Sequence, residues 1–305
     1  MKKKVLILVN GVAGTGLISD SLYQIIEKFA VAGWEPTVYP ILPDEDLMSE
    51  RIIAERAEEF DLVVCGGGDG TLNHVITGLM HLDKRPTLGY LPAGSTNDFA
   101  KGVQIPTEIS EACDTIISGR DFSYDIGCWN EKFFNYVAAF GAFSAISYTT
   151  NQNFKNVLGH AAYVLHAIGT LPKHINYRSH MRITADSFEV EEDYLFGAFY
   201  NAVSIGGVDL PGAEDVRLND GKIEMLLIKA PTTVLEIPLI LNALLAGRLD
   251  NKYIEYHTIS HAVCVSDDNT AWTLDGEFGG DTDQVEINVA QEAITIRVPQ
   301  KEEAQ

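Results

Sequence analysis

The fold is decided by the stretch Leu62-Val63-Val64-Cys65-Gly66-Gly67-Gly68-Asp69-Gly70-Thr71-Leu72-Asn73. A continuous apolar run, typical of a strand buried on both faces, leads into three glycines and an Asp-Gly-Thr sequence. Glycines let backbone N–H groups approach an anion closely, and the N-terminus of a following helix adds unpaired donors. The stretch therefore predicts a phosphate-binding turn, with Thr71 as both a helix N-cap and a phosphate ligand.

Asp69 stands out in this loop because a carboxylate and a phosphate repel each other. The two become compatible when Mg²⁺ lies between them, since this ion prefers carboxylate and phosphate oxygens. The alternative is a tight turn in which Asp69 is only a local cap. Four glycines in the five positions from Gly66 to Gly70 favour phosphate binding, because an ordinary turn does not need them.

Strands and helices alternate on both sides of this loop up to about Asp121. The apolar run Val5–Val9 reads as a buried strand, and Ser21–Ala32 has the spacing of an amphipathic helix. Such alternation predicts a parallel sheet with right-handed crossovers. Helical stretches are also expected farther along the chain, near Leu158–Leu171 and Pro231–Gly247.

Beyond Asp121 the segments become short and β-rich, with turn residues between them. Asp267–Asn269 is interpreted as one of the hairpin turns. We therefore predict an N-terminal Rossmann-like α/β nucleotide domain at residues 1–125 and a C-terminal antiparallel β-sandwich domain at 126–291. Residues from about 292 to 305 are expected to return to the first domain.

The composition limits the possible partners. The 305 residues carry a net charge of −21, which repels nucleic acid and predicts that none is bound. The four cysteines form no CxxC pair, as expected for reduced thiols in a cytoplasmic protein. The chain contains no apolar stretch of about 18 residues, so no transmembrane segment is expected.

A second motif, Leu91-Pro92-Ala93-Gly94-Ser95-Thr96-Asn97-Asp98-Phe99-Ala100, follows the glycine loop. The first motif alone resembles NAD kinases and phosphofructokinases as well, whereas the pair resembles the catalytic domain of diacylglycerol kinases and bacterial lipid kinases. Further matches cover nearly the whole chain, at Tyr124–Gly127, Asn135–Gly141, Leu218–Gly221 and Leu274–Gly280.

This resemblance implies an α/β nucleotide domain and a β-sandwich, with the active site in the cleft. It implies ATP and Mg²⁺ as cofactors and the phosphorylation of diacylglycerol to phosphatidic acid. It also implies a cytoplasmic protein that associates transiently with the membrane surface, where its lipid substrate lies. We further expect a homodimer.

The expected nucleotide contacts lie in the two glycine-rich segments and at the end of the first strand. They are Asn10, Gly11, Gly14, Gly67, Gly68, Asp69, Gly70, Thr71, Ser95 and Asn97. The segment Asn10–Gly16 departs from the family pattern, because Gly11 stands for a proline, Ala13 for a serine and Thr15 for a lysine. A positive charge is therefore missing near the phosphates.

The expected catalytic residues are Asp69, Asp98, Asp275 and Glu277. If Asp275-Gly276-Glu277 is extended, both of its carboxylates point to one side, as metal or proton chemistry requires. The resemblance makes Asp275 the general base for the lipid hydroxyl, with Glu277 orienting it or a Mg²⁺-bound water. The alternative is a solvated hairpin tip.

A second Mg²⁺, of structural type, is implied at Arg217, Asp220 and Lys222. By resemblance, Asp220 binds it through its carboxylate and the other two through their carbonyls. An ordinary Asp-Gly turn between strands is the alternative.

Two functional alternatives stay open. The acceptor could be another lipid alcohol, or the chain could be a nucleotide-binding regulator without turnover.

Overall fold

A computed structural model describes residues 2–11, 13, 16–142, 177–205, 208–209, 216–246, 248–249 and 251–300. The expected helical stretch Leu158–Leu171 and the predicted phosphate contact Gly14 lie outside these residues. The chain divides into two compact units, one with residues up to Tyr124 and from Glu292 onward, the other with Asp125–Gln291. The structure confirms a mixed α/β chain that is mostly sheet.

The first unit alternates strands and helices. Its elements are β1 (Lys3–Asn10), α1 (Leu17–Asp20), α2 (Leu22–Val31), β2 (Trp34–Ile41), α3 (Ser49–Arg56), β3 (Leu62–Gly67), α4 (Asp69–Met80), β4 (Thr87–Pro92), α5 (Asp98–Gly102) and α6 (Ile109–Ser118), with 3₁₀ turns at Glu45–Leu47 and Ala57–Glu59.

Parallel pairing places the functional loops at one edge of this unit's sheet. β1 lies between β2 and β3, and β3 pairs in parallel with β4. Because the carboxyl ends of parallel strands meet at one edge, Asn10, Gly67 and Pro92 end their strands close together. The bodies of β1, β3 and β4 are buried on both faces, which explains their continuous apolar sequences.

The second unit is built mainly from antiparallel strands. Its elements, counting two strands shared with the first unit, are β5 (Arg120–Trp129), β6 (Lys132–Phe134), β7 (Val137–Gly141), β8 (Ser179–Ala185), β9 (Phe188–Tyr200), β10 (Ser204–Ile205), β11 (Val208–Asp209), β12 (Ile223–Lys229), a 3₁₀ turn (Val234–Glu236), α7 (Ile237–Leu245), β13 (Ile254–Ile259), β14 (His261–Leu274) and β15 (Glu277–Val298). The chain passes between the units within β5 and within β15.

Two long strands organise the second unit. β9 pairs with β8 along its first half and with β7 along its second half. β14 does the same. Trp272 of β14 fills the centre of the resulting core, with its ring 4.8 Å from Phe140 and 5.9 Å from Phe199. β7 therefore lies in the middle of the unit, where its main chain is fixed by strands on both sides.

Two predicted segments of the second unit have different outcomes. Asp267–Asn269 is not a hairpin turn, because β14 continues through it with a bulge between Val265 and Thr270. The expected helical stretch at Pro231–Gly247 contains the 3₁₀ turn and α7. Among the described residues, no helix has the length and apolar character needed to cross a bilayer.

Candidate active site

The glycine loop joins β3 to α4. Gly68 has extended backbone angles and is the N-cap of α4, which begins at Asp69. The prediction of Thr71 as N-cap is wrong, because the helix starts two residues earlier and Thr71 lies inside its first turn. The Gly68 carbonyl accepts the first helical hydrogen bond, from the Leu72 N–H at 3.0 Å, and the N–H groups of the first turn have no intrahelical partners.

Thr71 instead connects this loop to the end of β1. The side-chain amide of Asn10 donates a hydrogen bond to Thr71 Oγ1 at 2.9 Å. A Cβ atom on Gly67 would lie 2.6 Å from the Thr71 side chain, so only glycine fits there. Asn10, Gly67 and Thr71 thus form one contact group in the first unit.

The second motif packs against the glycine loop through main-chain atoms. The Ala93 N–H donates to the Gly67 carbonyl at 2.8 Å. The Gly94 N–H donates to Asn97 Oδ1 at 2.8 Å, and Asn97 has a left-handed φ of 51°. A Cβ on Gly94 would lie 2.9 Å from the Cα of Gly68. The two sequence motifs therefore meet without intervening side chains.

Substituting Gly94 by Ala should separate the two loops. The new methyl group would overlap with Gly68 Cα and Asn97 Oδ1, both at 2.9 Å. We expect the substitution to lower the stability by about 1–3 kcal/mol and to weaken binding at the predicted phosphate site. Thermal unfolding and ATP titration measure both effects. Gly70→Ala, whose Cβ would have no neighbour within 4 Å and whose φ is not positive, is the control for stability.

The carboxylate of Asp69, in the glycine loop, binds residues of the second motif. Its Oδ2 accepts hydrogen bonds from Thr96 Oγ1 at 3.2 Å and from the Asp98 N–H at 3.3 Å. Its Oδ1 is buried and has no hydrogen-bond partner. Burial raises the pKa of Asp69, and the negative charge of Asp98 raises it further. Two neighbouring acids with an unsatisfied oxygen form an electrostatically unfavourable pair unless a cation is present.

These residues fit a divalent cation shared with a phosphate group. An orphaned carboxylate oxygen beside a second acid is the donor set that Mg²⁺ prefers. No group of three or more His, Cys, Asp or Glu side chains in the described part of the chain forms a complete metal site. Asp69 and Asp98 would accordingly hold an ion whose other ligands are phosphate oxygens and water.

Three further predicted nucleotide contacts are more exposed than the buried Gly67 and Asn97. Gly11, Gly70 and Ser95 are exposed to solvent. Ser95 lies in the loop between β4 and α5, directly before Thr96, which contacts Asp69. Their role in phosphate binding stays a prediction.

In the second unit, Asp275-Gly276-Glu277 forms the hairpin turn between β14 and β15. Asp275 and Gly276 have positive φ angles of 50° and 87°, which two-residue hairpin turns of type I′ require. The segment is therefore not extended, and the condition under which both carboxylates would point to one side is not met. Asp275 is buried, whereas Glu277 is exposed, so the two acids lie in different environments.

The buried Asp275 carboxylate is held by three consecutive main-chain N–H groups. Oδ2 accepts from the Asn135 N–H at 2.6 Å, and Oδ1 accepts from Tyr136 at 3.0 Å and from Val137 at 2.9 Å. The Asp275 N–H donates to the Val137 carbonyl at 2.8 Å, and the Tyr136 hydroxyl donates to the Asp275 carbonyl at 2.8 Å. These contacts stabilise negative charge on Asp275 and fix its orientation.

Sequence reasoning assigned no role to Asn135, Tyr136 and Val137. Their segment enters only through the family resemblance. The contacts to Asp275 use backbone N–H groups, which every residue except proline carries, so residue identity gives no signal. Only the phenol of Tyr136 is distinctive, and a tyrosine before a buried strand is common.

The predicted structural Mg²⁺ site lies in the turn before β12. Arg217, Asp220 and Lys222 are all exposed, and Asp220 Oδ1 accepts from the Lys222 N–H at 3.1 Å. The turn is fixed from inside by the buried Asp125, whose Oδ2 accepts from the Gly221 N–H at 2.6 Å. Because no orphaned oxygen marks the described part of this turn, its metal site stays a prediction and no chemical step is assigned to it.

Two bacterial relatives of this chain carry the same name. The family model of the diacylglycerol kinase catalytic domain matches residues 4–129. The diacylglycerol kinase of Bacillus subtilis (strain 168) is 32% identical over 280 residues, which are 91% of this chain and 91% of the relative. That of Staphylococcus carnosus (strain TM300) is 28% identical and covers 95% and 94%. The chain therefore belongs to the diacylglycerol kinase family, as its motifs predicted.

Solved structures of two other chains are similar to this chain in fold. A crystal structure from Bacillus anthracis str. Sterne matches 97% of this chain and 95% of its own, with a TM-score of 0.82 and 24% identity. The crystal structure of a diacylglycerol kinase from the same organism matches 97% of both chains, with a TM-score of 0.74 and 21% identity. At this identity, the likeness shows a shared fold.

Proposed function

We propose that this chain is a lipid kinase that transfers the γ-phosphate of ATP to the primary hydroxyl of diacylglycerol, giving phosphatidic acid. The observation that carries the proposal is the orphaned Oδ1 of Asp69, buried beside Asp98 at a glycine loop. The names of the relatives from Bacillus subtilis and Staphylococcus carnosus support the acceptor. In this proposal, the first unit is a Rossmann-like nucleotide domain and the second is a sandwich-type lipid domain.

On the donor side, the first unit binds and orients the ATP phosphates. The N–H groups at the start of α4 have no intrahelical acceptors and attract phosphate oxygens. Asn10 holds Thr71 in place beside them. Mg²⁺ bound with ATP supplies charge neutralisation for the transferred group. Asp69 and Asp98 would hold it, because their mutual repulsion is relieved when a cation lies beside them.

On the acceptor side, Asp275 accepts the proton of the lipid hydroxyl. An alcohol is a far weaker acid than a carboxylic acid, so the proton leaves late. The new O–P bond forms while the bond between the γ-phosphorus and the bridging oxygen breaks and ADP leaves, in a loose transition state. Three main-chain N–H groups keep the carboxylate in one orientation for this transfer. Glu277 lies on the exposed side of the same hairpin, and its orienting role is a proposal that rests on the family pattern alone.

The decisive experiment is a transfer assay with the purified chain. Labelled ATP and 1,2-diacylglycerol in mixed micelles should give labelled phosphatidic acid with Mg²⁺ and none with EDTA. A 1,3-diacylglycerol, which lacks a primary hydroxyl, is the matched control and should give little product. Faster transfer to another lipid alcohol would favour the alternative acceptor. ATP binding without transfer to any acceptor would overturn the kinase proposal in favour of a regulator.

Two further proposals come from the resemblance. A cytoplasmic location with transient membrane association fits a chain whose substrate is a lipid. The homodimer stays a prediction that sedimentation equilibrium tests directly.

A further inference from the structure

A surface cavity lies beside the edge strand of the first unit. Among the described strands, β2 pairs only with β1, and its side chains alternate between two faces. Trp34 and Val38 pack on one side against the core of the unit, which includes Phe29 of α2. The other face lines a cavity of about 170 Å³, whose polar lining residues are Lys4, Glu35, Thr37, Tyr39, Arg56 and Glu59. We call this cavity the β2 groove.

Two cations and two carboxylates line the β2 groove without forming ion pairs. Lys4 and Glu35 are directly opposite each other in the register of β1 and β2, and Glu59 follows Arg56 by three positions at the end of α3. Both spacings bring side chains within reach of each other. Within the described residues, however, none of these four side chains forms an ion pair. Their charges sum to zero and stay available to a ligand.

Arg56 is held in position at one end of the β2 groove. Its Cζ atom lies 5.5 Å from the centre of the Tyr39 ring, and its guanidinium donates a hydrogen bond to the Tyr39 hydroxyl. A guanidinium has five N–H donors in a planar fork that matches the two oxygens of a carboxylate. The hydrogen bond to Tyr39 uses one of these donors, and the side chain is exposed. The Tyr39 end of the groove is therefore suited to a carboxylate.

The dimensions of the β2 groove limit the size of its ligand. Pockets for drug-sized ligands have about 300–1,000 Å³, so this smaller cavity suits a small metabolite. Glu35 precedes Tyr39 by four residues on the same face of β2, which corresponds to about 13 Å along the strand. Side chains that reach inward from both ends shorten this distance. A dipeptide, which spans at most about 7 Å, has charged ends at a suitable separation.

A ligand with charge of only one sign fits this lining less well. An anion would meet the carboxylates of Glu35 and Glu59, and the net charge of −21 would repel it from the protein as a whole. A cation would meet Lys4 and Arg56. A zwitterion has no net charge, and each of its two ends finds a group of opposite charge in the groove.

We propose that the β2 groove binds a small zwitterionic metabolite of dipeptide size, with its carboxylate on Arg56 and its ammonium group on Glu35 and Glu59. Thr37 adds a hydroxyl to the floor between the two ends. No residue of the groove is assigned to phosphoryl transfer, so the proposal does not depend on the proposed function.

The first test compares three probes of similar size by isothermal titration calorimetry with the full chain. Glycylglycine is a zwitterion, N-acetylglycine carries only the carboxylate, and glycylglycinamide carries only the ammonium group. We expect glycylglycine to bind saturably with a Kd of about 1 mM, and the other two probes to bind at least about tenfold more weakly. Absence of saturable glycylglycine binding, or equal affinity for the three probes, overturns the proposal.

The second test places the ligand in the β2 groove with variants at both of its ends. Arg56→Gln and Glu59→Gln each remove one charge from an exposed side chain and should weaken glycylglycine binding about tenfold. Arg51→Gln is the matched control in the same helix, since Arg51 forms ion pairs outside the groove. Glu58→Gln is the matched control in the 3₁₀ turn. Both controls should bind glycylglycine as the wild type does.

Circular dichroism checks that each variant is folded, and if one of the two groove variants does not fold, the other decides. Unchanged affinity for glycylglycine in a folded Arg56→Gln or Glu59→Gln protein overturns the proposal. An equal loss of affinity in the two control variants also overturns it, because the binding would then follow the overall charge of the surface.

Discussion

Replacing Asp69 with Asn should lower phosphoryl transfer by about 10³-fold while making the metal-free protein more stable. The activity falls because the orphaned carboxylate oxygen that would hold the cation becomes part of a neutral amide. The stability rises because the ionised Asp69 is buried next to Asp98, which raises its pKa. Radiolabelled transfer and thermal unfolding in EDTA measure the two effects.

The pH dependence of this stability has a definite sign. The folded-state pKa of Asp69 lies above its unfolded value, so the protonated carboxyl is favoured in the folded protein. The stability of the metal-free protein should therefore fall as the pH rises through this raised pKa, and Asp69→Asn should remove that part of the dependence. Asp83→Asn, at an exposed position in the same unit, is the matched control. Equal stability of the two variants at all pH values would contradict the paired-acid interpretation.

Replacing Asp275 with Ala should have the opposite effect on stability. The substitution leaves the N–H groups of Asn135, Tyr136 and Val137 without their acceptor in a largely buried site. We expect a loss of about 3 kcal/mol or more in the free energy of unfolding, together with a loss of transfer of about 10²–10⁴-fold. Denaturant unfolding and the transfer assay measure these effects.

Asp275→Asn separates the two roles of this residue. Its side-chain oxygen can still accept from Tyr136 and Val137, but its NH₂ group would face the Asn135 N–H. The variant should be less destabilised than Asp275→Ala and equally inactive, because an amide accepts no proton. Asp283→Asn, at an exposed position of β15, is the control. If folded Asp275→Asn retained undiminished turnover, Asp275 would not be the base.

The meeting of the two glycine motifs could be predicted from sequence for a physical reason. Both follow buried strands, and the carboxyl ends of parallel strands lie at one edge of a sheet. The start of α4 was misplaced at Thr71, because Gly68 caps the helix through its backbone conformation and leaves no side-chain signature. The sequence therefore predicted that the two glycine motifs contribute to one site, but it did not predict the residue at which α4 begins.

The environment of Asp275 could not be predicted in the same way. Its three hydrogen-bond donors are main-chain groups, and their convergence depends on β7 lying between β9 and β14. The bulge in β14 is a second example, because the turn-like residues Asp267–Asn269 are accommodated within a continuous strand. The environment of Asp275 and the bulge in β14 depend on pairing between strands that are far apart in the sequence. Local residue preferences do not encode such pairing.

The contact between Gly68 and Gly94 restricts how this site can evolve. The two loops touch through their backbones, so no side chain between them can be exchanged to change their separation. Mutation can adjust the preference for one nucleotide over another only from the periphery of the loops. Asn10 lies at such a position, beside Thr71, and the segment that it opens is where this sequence differs from the pattern that the family resemblance implies. Variation in donor preference among relatives should therefore accumulate at the end of the first strand, while the glycine pair stays constant.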